Sequence, residues 1–343
     1  MKRTHIRPRA WFASGLILIA SLTVLSCGPR KESTQTAESQ AVLEIGYSQL
    51  RISLPIFVAQ QKGIFLKHGI NANLLMYPTA QPMAQALVEG KIQIAGYTAM
   101  PITYDGMARS GTKLLFITTM IEDQDHRISY LLRRSTKTDG KVLIRNLRDL
   151  KGKKIGTLPT VAYSAWLKAI LQANGLNPDR DVVIQPIAPE QEAAALRNGG
   201  VDALFTNDPV ATAAIRAGVA ELILPTVECP KYIEDPFPFG SFNVSKAWAD
   251  SHPDVFARLV AALDEAAEYV NEHPADAKQA MVPYLPGQFR ADVANYPDAK
   301  YLLTDESTEA MYQHLADIYL KMGIINQPVS LTGLVVNAKK SGP

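Results

Sequence analysis

The stretch 150–166 contains the first residues whose types and spacing could bind a ligand. A basic turn marked by Gly152 leads into residues 154–157, which are short enough for a buried strand, and the apolar spacing that follows is helical. Such a junction leaves the first backbone N–H groups of the helix unpaired, with the positive end of the helix dipole behind them. We therefore predict that residues 159–164 form a ligand cradle, although most loops of this kind bind nothing.

Three tyrosines, Tyr47, Tyr97 and Tyr163, fall on equivalent loops after predicted strands. Their rings could stack on a flat ligand, or they could pack in the core or at the rim of a cleft. Asp208 could pair with an amino group of a ligand or cap the helix that follows it. Arg51 could hold an anion or lie solvated in a loop, and we favour the solvated position.

The sequence shows no pattern of residues that would support catalysis. The six histidines lack the spacing of metal ligands, and no Ser/His/Asp order, carboxylate pair or phosphate loop stands out. We therefore predict no catalytic residue, no bound metal ion and no cofactor, and we expect that the protein is not an enzyme.

Short apolar runs alternate with helical patterns, and these elements would position the candidate residues. Runs typical of strands lie at 42–47, 71–77, 91–96, 114–120, 128–132, 154–157, 182–187 and 201–205. Alternating strands and helices imply a parallel sheet with ligands at the carboxyl ends of its strands. The alternation of strand and helix patterns begins again near residue 150, which indicates a second α/β unit. The proline-rich stretch 225–240 is predicted to be a linker.

Length and composition favour a globular protein of two lobes. The chain has 343 residues, 47% hydrophobic and 20% charged, which exceeds one ordinary domain. Its formal net charge is +2, but four of the 35 basic residues precede the first apolar run, so the rest is nearly neutral. This charge gives no reason to expect nucleic acid as a partner.

The N-terminus has the organisation of an export signal. Four basic residues precede the apolar run 11–25, which is shorter than the roughly 20 residues that span a bilayer. The run ends in Leu-Thr-Val-Leu-Ser-Cys-Gly at 22–28, which resembles the lipobox of bacterial lipoproteins, where the cysteine is acylated by fatty acids such as palmitate. We therefore predict a lipoprotein signal peptide at 1–26, lipidation of Cys27 and a polar tether at 27–41. The alternative is an ordinary secretory signal with a chance cysteine.

The remaining cysteine, Cys229, would then have no disulfide partner within the chain. It could be a reactive thiol, but we expect a small buried hydrophobic residue.

Residues 44 to about 281 resemble the solute-binding proteins of ABC importers that include nitrate, taurine, aliphatic-sulfonate and thiamine-pyrimidine binders. The resemblance is carried by an ordered set of segments: Ile-Gly-Tyr at 45–47, Ala-Gln-Gln-Lys-Gly-Ile-Phe at 59–65, His-Gly-Ile at 68–70, Leu-Val-Glu-Gly-Lys-Ile-Gln-Ile-Ala at 87–95, Asp-Leu-Lys-Gly-Lys-Lys-Ile-Gly at 149–156, Gly-Val-Asp-Ala at 200–203, Asp-Pro at 208–209 and His-Pro-Asp-Val at 252–255.

The resemblance implies an α/β type II periplasmic-binding-protein fold, with two α/β lobes and a hinge made of two crossings. The first lobe would comprise 42–124 and, with the C-terminal helices, 226–343, and the second lobe would comprise 125–225. Residues 123–127 and 225–240 fit the two crossings. In this fold the loops of both lobes meet across a cleft, which closes on the ligand.

The resemblance also implies which residues bind the ligand. The positions that match the ligand loops are Tyr47, Ser48, Gln49, Tyr97, Thr98, Thr160, Val161, Ala162, Tyr163, Asn207 and Asp208. Leu158 and Pro159 stand where sulfonate binders tend to carry glycine and serine, which argues against a sulfonate. Without an arginine clamp, the residue types favour an uncharged or amine-bearing aromatic solute.

The implied function is a lipid-anchored receptor in the cell envelope, on the periplasmic side or outer face. It would deliver a small-molecule solute to an ABC permease and its ATPase, touch the membrane through its N-terminal lipid, and act as a monomer. The solute would be thiamine-pyrimidine-like or another aromatic or amine-bearing molecule, or one of the sulfonate, taurine or nitrate type. The alternative is an enzyme on the same bilobal fold, of the pyrimidine-synthesis or menaquinone-pathway type. The export signal argues against that alternative, because such biosynthesis is cytosolic.

Overall fold

A computed structural model describes residues 41–98, 101–136 and 144–337 of the chain. The predicted signal peptide, the lipidation site Cys27 and residues 27–40 of the predicted tether lie outside these ranges. Ala41, the last residue of that tether, is instead the first residue of a strand. In the described residues, no helix is long and apolar enough to cross a lipid bilayer.

The strands and helices alternate along most of the chain. The strands are β1 (Ala41–Tyr47), β2 (Ile70–Met76), β3 (Ile94–Thr98), β4 (Leu114–Glu122), β5 (Ser129–Arg134), β6 (Lys154–Thr157), β7 (Val183–Pro186), β8 (Ala203–Asn207), β9 (Ala220–Leu222), β10 (Phe237–Ser245) and β11 (Lys300–Leu302). Every strand predicted from the sequence is present, with ends shifted by three residues or fewer.

Most helices lie between consecutive strands, and the longest run of them lies between β10 and β11. They are α1 (Leu54–Gln61), α2 (Ile64–Lys67), α3 (Ala80–Val88), α4 (Pro101–Ser110), α5 (Val161–Ala173), α6 (Pro189–Arg197), α7 (Val210–Arg216), α8 (Glu228–Tyr232), α9 (Lys246–Ser251), α10 (Pro253–Glu272), α11 (Pro274–Gln279), α12 (Gly287–Arg290) and α13 (Glu309–Lys321). Short 3-10 turns lie at Arg51–Ser53, Leu147–Leu150, Val282–Tyr284 and Val293–Asn295.

The strands form two sheets, and each sheet with its helices makes one lobe. The first lobe contains a six-stranded sheet in the order β11-β4-β10-β3-β1-β2, and the second a five-stranded sheet in the order β7-β6-β8-β5-β9. The predicted α/β class and two lobes are therefore confirmed. The expected parallel pairing is present between β1 and its neighbours β2 and β3, and between β6 and its neighbours β7 and β8. Both sheets are nevertheless mixed, because β10 runs antiparallel to β3 and β4, and β5 runs antiparallel to β8 and β9.

Two buried strands at the centre of the first sheet stabilise it. All nine residues of β4 are buried, and β10 beside it is buried along nearly its whole length. Strands covered on both faces read as continuous apolar runs, which is the pattern of Leu-Leu-Phe-Ile at the start of β4. Gly96 in β3 is required by close packing, since a Cβ there would lie 2.6 Å from the ring of Phe242.

The proline-rich stretch 225–240 differs from the predicted linker. It contains α8, and from Phe237 onwards it is the central strand β10. Pro238 is tolerated there because the register with β4 shifts between Pro238 and Gly240, and a bulge does not need every ladder hydrogen bond.

The chain passes between the sheets twice, after β4 and before β10, and side chains tie the two crossings together. The amide of Gln124 donates to the Val227 carbonyl (3.2 Å) and accepts from the Val227 N–H (3.3 Å). Arg127 Nη2 donates to the carbonyl oxygens of Pro225 and Thr226 at 2.7 and 2.8 Å. Cys229 in α8 is fully buried beside Ser129, as expected for a small hydrophobic residue, and burial raises the pKa of its thiol.

Candidate functional site

A cleft of about 350 Å³ lies between the lobes, where the carboxyl ends of parallel strands in both sheets meet. This is the usual position of ligands in open α/β sheets. Its lining comprises residues 48–50, 77–80 and Tyr97 of the first lobe, 158–160, Tyr163, 188–190 and Pro209 of the second lobe, and Pro286, Gln288 and Phe289 of the C-terminal part. The loops after β1, β2, β6 and β7 therefore all contribute to one cavity.

The walls of the cleft are mostly apolar and aromatic. Tyr77, Tyr97, Tyr163 and Phe289 line it, together with prolines from both lobes. Tyr97 is 1% exposed, and its hydroxyl accepts a long hydrogen bond of 3.4 Å from Thr103. A cavity with several rings and few polar groups suits a small organic molecule.

Tyr163 is held firmly at the start of α5. Its N–H donates to the hydroxyl of the N-cap residue Thr160 at 3.2 Å, as the predicted strand-to-helix junction requires. Its ring packs 5.0 Å from Trp166 and 5.4 Å from Phe205 between ring centres. The side chain is 2% exposed, and burial raises the pKa of its hydroxyl.

Two buried hydroxyls in the cleft lining have no hydrogen-bond partner among the described residues. They are Tyr163 Oη and Ser48 Oγ, and Ser48 is 5% exposed. The Ser48 backbone, by contrast, is fixed, since its N–H donates to Ser53 Oγ at 3.1 Å. Buried polar groups are nearly always paired, so these two oxygens mark positions where a ligand or water would complete the structure.

The lining of the cleft contains few charged side chains. Among the described residues that line the cleft, Glu190 is the charged side chain, and no lysine, arginine or histidine belongs to the set. Arg51 is not solvated as predicted, because it is 2% exposed behind the lining and forms an ion pair with Asp208 at 3.1 Å. Its guanidinium is therefore already paired and does not form an anion clamp in the cleft.

Asp208 lies beside the cleft but outside its lining. One carboxylate oxygen accepts from Thr212 N–H at 3.0 Å, which is the predicted helix-capping contact, and the other accepts from the Tyr130 hydroxyl at 2.8 Å. Asn207 before it is 3% exposed and also lies outside the lining.

The structure brings five of the predicted ligand residues into the cleft lining, namely Ser48, Gln49, Tyr97, Thr160 and Tyr163. Tyr47 instead packs edge-on against Phe57 and Tyr284, with ring centres 5.2 and 5.5 Å away. In the first turn of α5, Val161 is 61% exposed and Ala162 is fully buried. Thr98 ends β3, and its side chain lies outside the described part of the chain.

Sequence reasoning missed three groups of lining residues, namely 77–80, 188–190, and Pro286 with Gln288 and Phe289. The first two groups follow predicted strands, so the rule that ligands bind at carboxyl ends could have found them. The third group approaches the cleft from a distant part of the chain, and no local pattern predicts that packing.

The two α/β lobes and the cleft between them define a fold of the periplasmic-binding-protein type. The periplasmic aliphatic sulphonate binding protein SsuA of Escherichia coli has the same fold, with a TM-score of 0.68 at 18% identity, over 86% of this chain and 97% of that chain.

The chain belongs to the NMT1-like family, whose model matches residues 36–284. It is 29% identical to the bicarbonate transport ATP-binding protein CmpC of Synechococcus elongatus over 68% of this chain and 36% of that protein. It is 22% identical to the nitrate/nitrite binding protein NrtA of a Nostoc species over 81% of this chain and 69% of that protein. The chain thus spans about a third of the length of CmpC.

Proposed function

We propose that the protein is the solute-binding receptor of an ABC importer and is not an enzyme. It captures a small organic solute between its lobes and delivers it to a membrane permease that is driven by an ATPase. The observation that carries this proposal is that Ser48 and Tyr163, which line one cavity from opposite lobes, each hold a buried hydroxyl without a hydrogen-bond partner among the described residues. Membership of a family whose relatives include transport and binding proteins supports it.

The solute that fits this cleft is an uncharged or amine-bearing aromatic molecule. The rings of Tyr77, Tyr97, Tyr163 and Phe289 offer flat apolar surfaces, and Glu190 offers a carboxylate for an amino group. A nitrate or bicarbonate ion would leave most of about 350 Å³ empty and would find no cationic side chain among the described lining residues.

A ligand screen by thermal shift and calorimetry tests this proposal on the full chain. We expect 4-amino-5-hydroxymethyl-2-methylpyrimidine, or another aminopyrimidine, to raise the melting temperature, because a ligand at 100 times its Kd adds about 2.7 kcal/mol of stability. Nitrate and an alkanesulfonate serve as the anions for comparison, and taurine as a zwitterionic sulfonate. A shift with those anions and none with the aminopyrimidines would contradict the proposed solute class.

Capture would involve closure of the lobes formed by 42–124 with 226–343, and by 125–225, about the two crossings. A solute that touches both walls of the cleft favours the closed arrangement, because it has more contacts there than in the open one. The receptor would act as a monomer, since each chain contains both walls of its own cleft.

The receptor would be exported and held at the cell envelope through Cys27. We expect the mature protein to partition into the detergent phase and Cys27→Ala to remain unacylated and to move to the aqueous phase, because acyl chains supply the membrane affinity. Phase partitioning followed by mass spectrometry of the N-terminal peptide measures this. Wild-type protein in the aqueous phase would contradict the anchor but leave the solute proposal untouched.

A further inference from the structure

One buried ion pair joins the two lobes directly behind the cleft. Arg51 lies in the 3-10 turn after β1 of the first lobe, and Asp208 directly follows β8 of the second. Arg51 Nη2 and Asp208 Oδ2 are 3.1 Å apart, and the two side chains are 2% and 0% exposed. The cleft residue Ser48 lies shortly before Arg51 in the chain, and the cleft residue Pro209 follows Asp208. The pair therefore links the two walls at their base.

The other contacts of Asp208 stay within the second lobe. Its carboxylate accepts from the Tyr130 hydroxyl in β5 at 2.8 Å and from the Thr212 N–H in α7 at 3.0 Å. These two bonds would persist if the lobes moved apart. The charge of the carboxylate, however, would lose its counterion.

The other contacts of Arg51 hold it to the first lobe and to the first crossing. Nη1 donates to the Pro297 carbonyl near β11, and Nη2 donates to the Arg127 carbonyl, both at 2.9 Å. These carbonyl contacts fix the guanidinium in position but carry no compensating charge. Asp208 is therefore its ionic partner in this arrangement of the lobes.

We propose that the Arg51–Asp208 pair is a latch between the lobes. It sets the fraction of molecules in the closed arrangement, in which the two cleft walls face each other. The pair acts on the solute by positioning the two walls, and neither residue touches it. A buried ion that loses its partner is strongly destabilised, whereas the same ion in an opened cleft is hydrated. Loss of one partner therefore shifts the population towards separated lobes. The apparent affinity falls in proportion to the closed fraction. This inference rests on the proposed function for the role of the cleft.

A second ion pair between the lobes provides a matched control. Arg216 in α7 lies 2.7 Å from Asp292 of the C-terminal part, and its side chain is 53% exposed, while that of Asp292 is 18% exposed. Exposed ion pairs contribute little, because water screens them. Asp292→Asn removes the same charge at the same boundary without burying an unpaired ion.

The test compares wild type, Asp208→Asn and Asp292→Asn as full chains without added solute, by small-angle scattering and melting temperature. An asparagine side chain is nearly isosteric with that of Asp208 and keeps an oxygen for Tyr130 or Thr212, so the second lobe should remain folded. We expect a larger radius of gyration for Asp208→Asn and an unchanged one for Asp292→Asn. The double variant Arg51→Met with Asp208→Leu should return to the compact form, because apolar side chains can replace a buried ion pair.

The affinity of an aminopyrimidine adds a second measurement. We expect Asp208→Asn to weaken it tenfold or more and Asp292→Asn to change it less than twofold. If wild type binds no aminopyrimidine, the proposed solute class fails, but the scattering still decides the latch. An unchanged radius of gyration in a folded Asp208→Asn would overturn the inference. If Asp208→Asn does not fold, Arg51→Gln takes its place, and failure of both to fold would also overturn it.

Discussion

Substitution of Glu192 by glutamine is expected to raise the free energy of unfolding at pH 8 and to flatten its pH dependence. Glu192, in α6, is fully buried, and one of its carboxylate oxygens accepts a hydrogen bond from the Thr206 hydroxyl. The other oxygen has no partner among the described residues. Burial raises the pKa of Glu192 to about 8, so the folded protein keeps a proton that the unfolded chain releases above about pH 4.3.

Because of this difference in bound protons, the free energy of unfolding falls as the pH rises. The stabilising contribution of Glu192 is complete below the unfolded pKa and is lost as the pH rises through about 8, at about 1.4 kcal/mol for each pH unit. Glu122 and Glu228 have pKa values raised by burial to about 7, so they add to the slope mainly below pH 7. Their contribution is smaller between pH 7 and 8, and the difference in slope between wild type and Glu192→Gln in that interval measures the part due to Glu192.

Denaturant titrations at pH 5, 6, 7 and 8 measure the effect. The comparison variant is Glu190→Gln, which changes an exposed carboxylate two residues away. Its charge adds a smaller part to the raised pKa of Glu192 than burial does, so this variant should change the slope far less than Glu192→Gln. Equal slopes for wild type and Glu192→Gln between pH 7 and 8 would show that Glu192 is ionised in the folded protein.

Tyr163→Ala and Tyr163→Phe are expected to separate packing from binding at the centre of the cleft. The alanine variant removes a ring that packs against Trp166, Phe205 and Phe239, and should lose about 3–5 kcal/mol of stability. The phenylalanine variant keeps the ring and removes a buried hydroxyl that lacks a partner among the described residues. Its stability should equal or exceed that of wild type, because an unpaired buried hydroxyl costs free energy.

Solute binding should respond differently from stability. We expect Tyr163→Phe to weaken the affinity for a bound aminopyrimidine about tenfold, because the hydroxyl loses its bond to the solute. Calorimetry and melting temperature on the same preparations measure both quantities. Wild-type affinity in Tyr163→Phe would remove that hydroxyl from the site.

Local patterns predicted the elements of this fold better than their arrangement. The alternation of strands and helices placed β1 to β8 within a few residues, because each signal lies within one short segment. The position of β10 at the centre of the first sheet was missed, since Pro236 and Pro238 are typical of a linker and the bulge that accommodates Pro238 depends on β4.

In the candidate site too, local features were predicted better than contacts between distant parts of the chain. The start of α5 was predicted from its own sequence, and Tyr163 lies there in the cleft lining. Arg51 was expected in solvent, because its ionic partner Asp208 is remote in sequence and local sequence patterns do not predict a pair of this kind. Burial of a charged residue is decided by such partners and not by the residue itself.

The reciprocal contacts between Gln124 and Val227, and those from Arg127 to Pro225 and Thr226, have a consequence for the entropy of capture. If the lobes move as proposed, two crossings fastened side by side would bend about a shared axis, which would confine the protein without solute to one rotational coordinate. Binding of the solute would then cost less conformational entropy, because fewer conformers are lost. Stiffness at the crossings would thus raise the affinity for the proposed solute without an added contact to it.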